Sequence, residues 1–143
     1  MVKLSNNFDS TEFLVSNDYP DLAAQMLLDT EEIKRLRLLC QSILQPLRDQ
    51  FGPLKILSGL RSPELNAKVS GSPTSDHLSA IAADVTHKTT SAVSLWLTLT
   101  KTPGFSYRQC ILYPDNNFFH VSINIPGKTY KRQVLKKTKD GYI

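Results

Sequence analysis

The sequence predicts an α+β domain in which helices flank a small, mainly antiparallel sheet. Three observations carry this. Apolar residues recur at helical spacing in two stretches, as Ile33, Leu36, Cys40, Ile43, Leu44 and Leu47 in the first and as "SAVSLWLTL" in the second. "YRQCILY" and "FFHVSINI" read as strands, and "PDNN" between them has the residues of a tight turn, so the two should form an antiparallel hairpin. The 143 residues are 41% hydrophobic and 21% charged, the composition of one globular domain rather than a disordered chain.

Residues 1–29 read as irregular structure with short helical turns, the second over Leu22 to Leu28. Asp29, with Glu32 three residues on, is a capping pattern that should open a longer helix, which Gly52 and Pro53 end. "LKILSGL" reads as a strand entering a turn at Gly59. "SPELNAKV" starts a short helix with Ser62 as cap and Pro63 at its first position. "SGSPTS" is loop, "AIAADVT" a strand, and the helix "SAVSLWLTL" carries the lone tryptophan, Trp96. "YKRQVLKKTKDGYI" adds an edge strand whose lysines discourage edge-to-edge pairing. The whole, residues 1–143, is expected to be a single domain with a basic C-terminal segment over 128–143.

Net charge is +4, which favours anionic partners such as nucleic acid, acidic lipid or an acidic wall polymer. No helix-turn-helix, zinc-finger or aromatic stacking signature is present, so nucleic acid is not expected. No apolar stretch approaches a membrane span and "MVKLSNNFDS" has no signal-peptide core, so cytoplasmic synthesis without membrane insertion is expected. Cys40 and Cys110 form no metal-binding spacing and read as buried free thiols. Between Lys128 and Ile143 stand six lysines and arginines against one acid, Asp140. The default reading is a solvated charged end, which could also hold the protein to anionic wall polymers.

Alternation across strands divides the polar residues. In "AIAADVT", Ile81, Ala83 and Val85 share the apolar face, leaving Asp84 on the other. In "FFHVSINI", Phe119, Val121 and Ile123 share one face, and His120, Ser122 and Asn124 the opposite one. Singly, such residues are usually just solvated. Together, His77 in the loop before one strand, Asp84 on it and His120 on another supply two imidazoles and a carboxylate. That set suits zinc, which takes nitrogen and carboxylate oxygen tetrahedrally and keeps a fourth position for water.

"SGLRSPELN", "SDHLSAIAAD" and "FFHVS" come in the order and spacing of the zinc D-alanyl-D-alanine carboxypeptidase family, and the chain most resembles its short, bacteriophage-encoded, single-domain members. The resemblance implies a Hedgehog/DD-peptidase-like fold, Zn2+ bound by His77, Asp84 and His120, and hydrolysis of peptidoglycan stem peptides at a bond near a D-amino acid. It also implies that Arg61 contacts the substrate; a guanidinium can grip a carboxylate or carbonyl oxygen without losing its charge. A monomer acting at the cell wall, or carried with a phage particle, is expected. Two departures stand out. Ala80 replaces the family's glycine in "HxxGxAxD". Asn117 stands where many relatives place a general-base glutamate, three residues before the last histidine. Asp115 is the nearest acid upstream of His120, although its place in "PDNN" also fits a turn role. Asp76, Tyr113 and His87 are further candidates for support, His87 being best explained as an exposed loop histidine. Lacking a base, the protein could instead be a weak or inactive peptidoglycan-binding or phage structural module.

Overall fold

The computed structural model describes residues 1–143 and has an α+β architecture. The chain opens with a two-stranded ladder, β1 (Lys3–Ser5) and β2 (Phe8–Asp9), followed by a 3-10 turn, Ser10–Phe13, and a short helix, α1 (Pro20–Ala24). That ladder lies where irregular structure was expected; strands of two or three residues are too short to show alternation.

Asp29 caps α2 (Thr30–Leu39) in a reciprocal capping box with Glu32. At Cys40–Leu44 the helix widens, Gln45 N–H bonding to the Cys40 carbonyl, and it continues as α3 (Gln45–Phe51) to Gly52, whose φ of 86° is open to glycine. The widened turn has no signature in the apolar spacing. β3 (Leu54–Ser58) follows, then α4 (Pro63–Lys68), where the Ser62 hydroxyl accepts from Leu65 N–H. The remaining elements are β4 (Ala82–His87), α5 (Ala92–Lys101), β5 (Gln109–Tyr113), β6 (Phe118–Ser122), β7 (Gln133–Thr138) and β8 (Gly141–Tyr142).

The main sheet runs β3-β4-β6-β5-β7-β8. Its pairings are antiparallel except β5 with β7, which are parallel. The expected hairpin forms between β5 and β6, with Asn117 left-handed at φ 52° closing the turn. One face of the sheet carries Ile56, Ala83, Val85, Phe119, Val121, Cys110 and Leu112, in register across four strands. These join Leu36, Leu39, Ile43 and Leu47 of the long helix and Leu95 and Leu99 of α5 in a connected core of 28 buried residues. Burying a side chain such as Phe119 contributes about 1.5–3 kcal/mol.

Cys40 and Cys110 are buried free thiols within this core, and burial pushes the Cys110 thiol up to about 12. No helix is long and apolar enough to cross a membrane.

The other face departs from expectation. It is not simply solvated: His120 and Ser122 are buried, because residues 75–79 and 124–131 roof part of it. The C-terminal segment is no solvated tail either. Arg132 lies over Tyr107 and Lys136 over Trp96, while Lys128 is bonded to buried Asp76.

Candidate metal centre

Strand register makes the site. In the β4–β6 pair Asp84 stands directly opposite His120, so both side chains rise from the same face of the sheet. The His120 Nδ1 lies 3.0 Å from Asp84 Oδ1. His77 arrives from outside the sheet, on a 3-10 turn, Asp76–Ser79, that Ser75 caps. Ala80 then takes the left-handed conformation, φ 57° and ψ 39°, and turns the chain into β4. This is the position where the resemblance led to an expected glycine, and the structure holds alanine there in a conformation that costs an L-residue about 1–2 kcal/mol.

His77 Nε2 is 3.1 Å from Asp84 Oδ1 and 3.2 Å from His120 Nδ1. Three donor atoms from three segments therefore face one point. Ligands about 2.0–2.1 Å from a tetrahedral ion stand about 3.3 Å apart, close to these separations.

The protonation pattern calls for a cation at that point. His77 Nδ1 lies 2.7 Å from the Gly59 carbonyl, which can only accept, so Nδ1 carries the proton. Gly59 can bring its carbonyl there because a Cβ on it would stand 2.6 Å from the Phe13 backbone. With its proton on Nδ1, neutral His77 turns the lone pair of Nε2 toward the Asp84 carboxylate. Burial pushes the His77 imidazole below its ordinary value, against the pull of Asp84, so a second proton is disfavoured. Two acceptors 3 Å apart attract only through something positive between them. The far nitrogen of His120, Nε2, is buried without a partner.

The three donors lie in a cleft of about 870 Å³, a volume typical of a ligand site. Arg61 lines it, with Nη2 3.6 Å from Asp84 Oδ2, Nε 3.4 Å from Ser58 Oγ and Nη1 3.3 Å from Asn66 Oδ1. It is held beside the cluster rather than solvated before the α4 cap. Burial lowers its pKa and Asp84 counteracts this. Tyr113 also lines the cleft, stacked on Phe118 at 4.5 Å, and burial raises its hydroxyl to about 12.

The structure does not bring Asp115 to this group. Its carboxylate is exposed, accepts the Lys139 N–H at 3.0 Å and does not line the cleft. Its bond is not the expected one within its own turn: the carboxylate instead reaches the backbone of the β7–β8 turn beside it. Asn117 is structural too, its side chain accepting from Ala92 N–H. His87 is no free loop histidine: it donates from Nε2 to Phe51 O at 2.7 Å and accepts the Thr89 and Thr90 amides at Nδ1. Asp76 sits beneath the cleft wall, accepting Arg108 Nη1 on both oxygens, Ser122 Oγ at 2.8 Å and Lys128 Nζ at 2.6 Å. Burial would raise its carboxyl, and those donors hold it below the ordinary value. Sequence reasoning missed Arg108, Lys128 and Lys131 in the cleft. Arg108 precedes a strand without any motif, and the two lysines were read as part of a solvated tail.

A family model described as Peptidase M15 matches residues 8–122, a span that includes all three donors and Arg61 and leaves the 124–131 segment outside. No curated protein matches the chain.

Proposed function

The chain belongs to the peptidase M15 family, whose members are zinc-dependent metallopeptidases, and on that premise we propose that it hydrolyses peptide bonds in the stem peptides of bacterial peptidoglycan. The convergence of His77 Nε2, Asp84 Oδ1 and His120 Nδ1 within one cleft carries this reading. Two imidazoles and one carboxylate suit zinc, and three protein ligands leave a position open. When bound, zinc supplies a Lewis acid that polarises a carbonyl and lowers the pKa of water from about 15.7 to about 7.

The chain's own residues do the rest. The Gly59 carbonyl fixes the His77 tautomer, and Asp84 balances the charge of the ion. Arg61, propped by Ser58 and Asn66, presents donors to a substrate carboxylate or carbonyl beside the cluster. The Tyr113 hydroxyl, kept protonated by its raised pKa, is a further donor on the same face. The protein acts as a monomer at the cell wall, in the manner of a phage-encoded lytic enzyme.

One observation favours a second reading. The carboxylates that line the cleft are Asp84, a ligand, and Asp76, already bonded to three side chains. No free carboxylate stands ready as general base, and such help is worth about 10²–10⁴-fold in rate. The protein would then be a slow hydrolase or a peptidoglycan binder.

Mass spectrometry of purified muropeptides after incubation with zinc-loaded protein tests both. New peptide termini or released D-alanine, absent with His120→Ala, are the expected result. Identical products from wild type and His120→Ala would overturn the metal-centred mechanism. Zinc-dependent muropeptide binding without product would select the second reading.

A further inference from the structure

The cleft holds more positive charge than the three donors use. Arg61, Arg108, Lys128 and Lys131 line it against two carboxylates, Asp76 and Asp84. Arg61 stands beside Asp84, which leaves three cations to one carboxylate on the opposite wall. Arg108 is only 6% exposed. It gives Nη1 to Asp76 and Nε to the Thr129 carbonyl, and its Nη2 has no protein partner. Lys128 spends one donor on Asp76, and the Lys131 ammonium meets no protein group.

Arg108, Lys128 and the backbone that carries Lys131 are also fixed in advance. Segment 124–131 is fastened by the Lys128–Asp76 pair, by Arg108 to Thr129, and by two hydrogen bonds between the Asn124 side chain and the Lys131 backbone. An unspent guanidinium donor open to the cleft, beside one anchored ammonium group and one free one, suits an anion.

We propose that Arg108, Lys128 and Lys131 form a carboxylate-binding subsite, separate from the metal point, that selects peptides carrying a free carboxylate. The proposal rests on the peptidase reading in one respect: an occupant lying across the three donors is a peptide, whose anionic groups are carboxylates. Either an internal α-carboxylate or the C-terminal one could fill the subsite, and the test separates them.

Titration calorimetry on the zinc-loaded full chain uses three probes. They are the stem pentapeptide L-Ala-γ-D-Glu-L-Lys-D-Ala-D-Ala, its glutamate α-carboxamide and its C-terminal carboxamide. One amide should bind about tenfold or more weakly than the parent, as expected for loss of a charge-assisted bond, and that amide identifies the carboxylate. Lys131→Gln removes a side chain without protein contacts, so folding is not at stake. It and Lys128→Gln should shrink the parent's advantage to about threefold or less, whereas Lys128→Arg, which keeps the charge beside Asp76, should retain it. Equal binding of all three peptides to wild type would overturn the subsite. So would an advantage that survives in both glutamine variants, since the carboxylate would then sit on the metal or on Arg61. Products are followed on the same samples: their absence with the binding ratios intact would sink the peptidase reading and leave the subsite standing.

Discussion

Replacing Asp76 by asparagine keeps the shape of a buried side chain and removes its charge. The carboxylate accepts Arg108 Nη1 at 2.6 and 2.7 Å, Lys128 Nζ at 2.6 Å and Ser122 Oγ at 2.8 Å. Asparagine keeps one acceptor oxygen, and its NH₂ can be accepted only by the Ser122 hydroxyl, since Arg108 and Lys128 can only donate. Lys128, with its side chain 23% exposed, can swing into the cleft; Arg108, at 7%, cannot leave. Breaking a buried pair so that one charge stays behind costs about 3–5 kcal/mol, and the escape of Lys128 puts this case at the lower end, about 3 kcal/mol. In urea the midpoint should fall with an unchanged slope, and Tm should drop by about 10 °C. Adding Arg108→Met removes the stranded charge and should recover about half the loss. The pH dependence has a definite sign. The folded pKa of Asp76 lies below its unfolded value, so its contribution is complete above the unfolded pKa near 3.9 and disappears as pH falls through the folded one. Wild type and Asp76→Asn should therefore converge in strong acid. A loss under about 1 kcal/mol at neutral pH, or strictly additive effects in the double variant, would refute the view of Asp76 as the anchor of the cleft wall.

Zinc at about a thousand times its Kd should stabilise the protein by about 4 kcal/mol, reversibly with a chelator, and should leave His120→Ala unmoved in a thermal melt. Ala80→Gly relieves the left-handed alanine at φ 57° but gives up a fully buried methyl worth about 0.8 kcal/mol and adds unfolded-state entropy, so stability should stay within about 1 kcal/mol of wild type; a loss beyond about 2 kcal/mol in urea denaturation would contradict that account. Asp115→Asn should leave turnover of muropeptides at the wild-type rate, because its carboxylate serves the Lys139 amide, and a rate drop beyond about tenfold would return it to the reaction. Arg61→Lys keeps the charge and loses the planar fork, so kcat/KM should fall by about 10-fold or more, with no comparable change in melting temperature.

The fold was legible wherever a local rule and the tertiary packing agreed. Asp29 and Glu32 form the capping box their spacing suggests, Ser62 caps α4, and alternation in "AIAADVT" and "FFHVSINI" assigned both faces of the central strands. Period-two alternation is also what placed Asp84 and His120 on one side. It gave no register, and only the observed pairing of residue 84 with residue 120 converts a shared face into a contact of 3.0 Å. The parallel pairing of β7 with β5 was illegible for a related reason: a strand's sequence states which residues share a face and leaves open the neighbour it joins.

The cleft's second wall was hidden for a different reason. Lys128 and Lys131 read as ordinary surface charges, and Arg108 carries no motif, because charge buried in a cleft and charge facing solvent have the same composition. What distinguishes them is the partner, and Asp76 is 46 residues from Ser122 and 52 from Lys128. Asp76 sits beside His77 in the same turn, so one short segment sends a ligand candidate to the metal point and an anchor to the loop that closes the cleft. The two roles are thereby coupled. A change that frees the 124–131 segment also disturbs the turn that aims His77, and zinc affinity should fall with it although no proposed ligand is touched. Competition with a chromogenic chelator would show this as a several-fold weaker Kd for Asp76→Asn, and equal affinity would mean that the Gly59 carbonyl alone suffices to hold His77 in place.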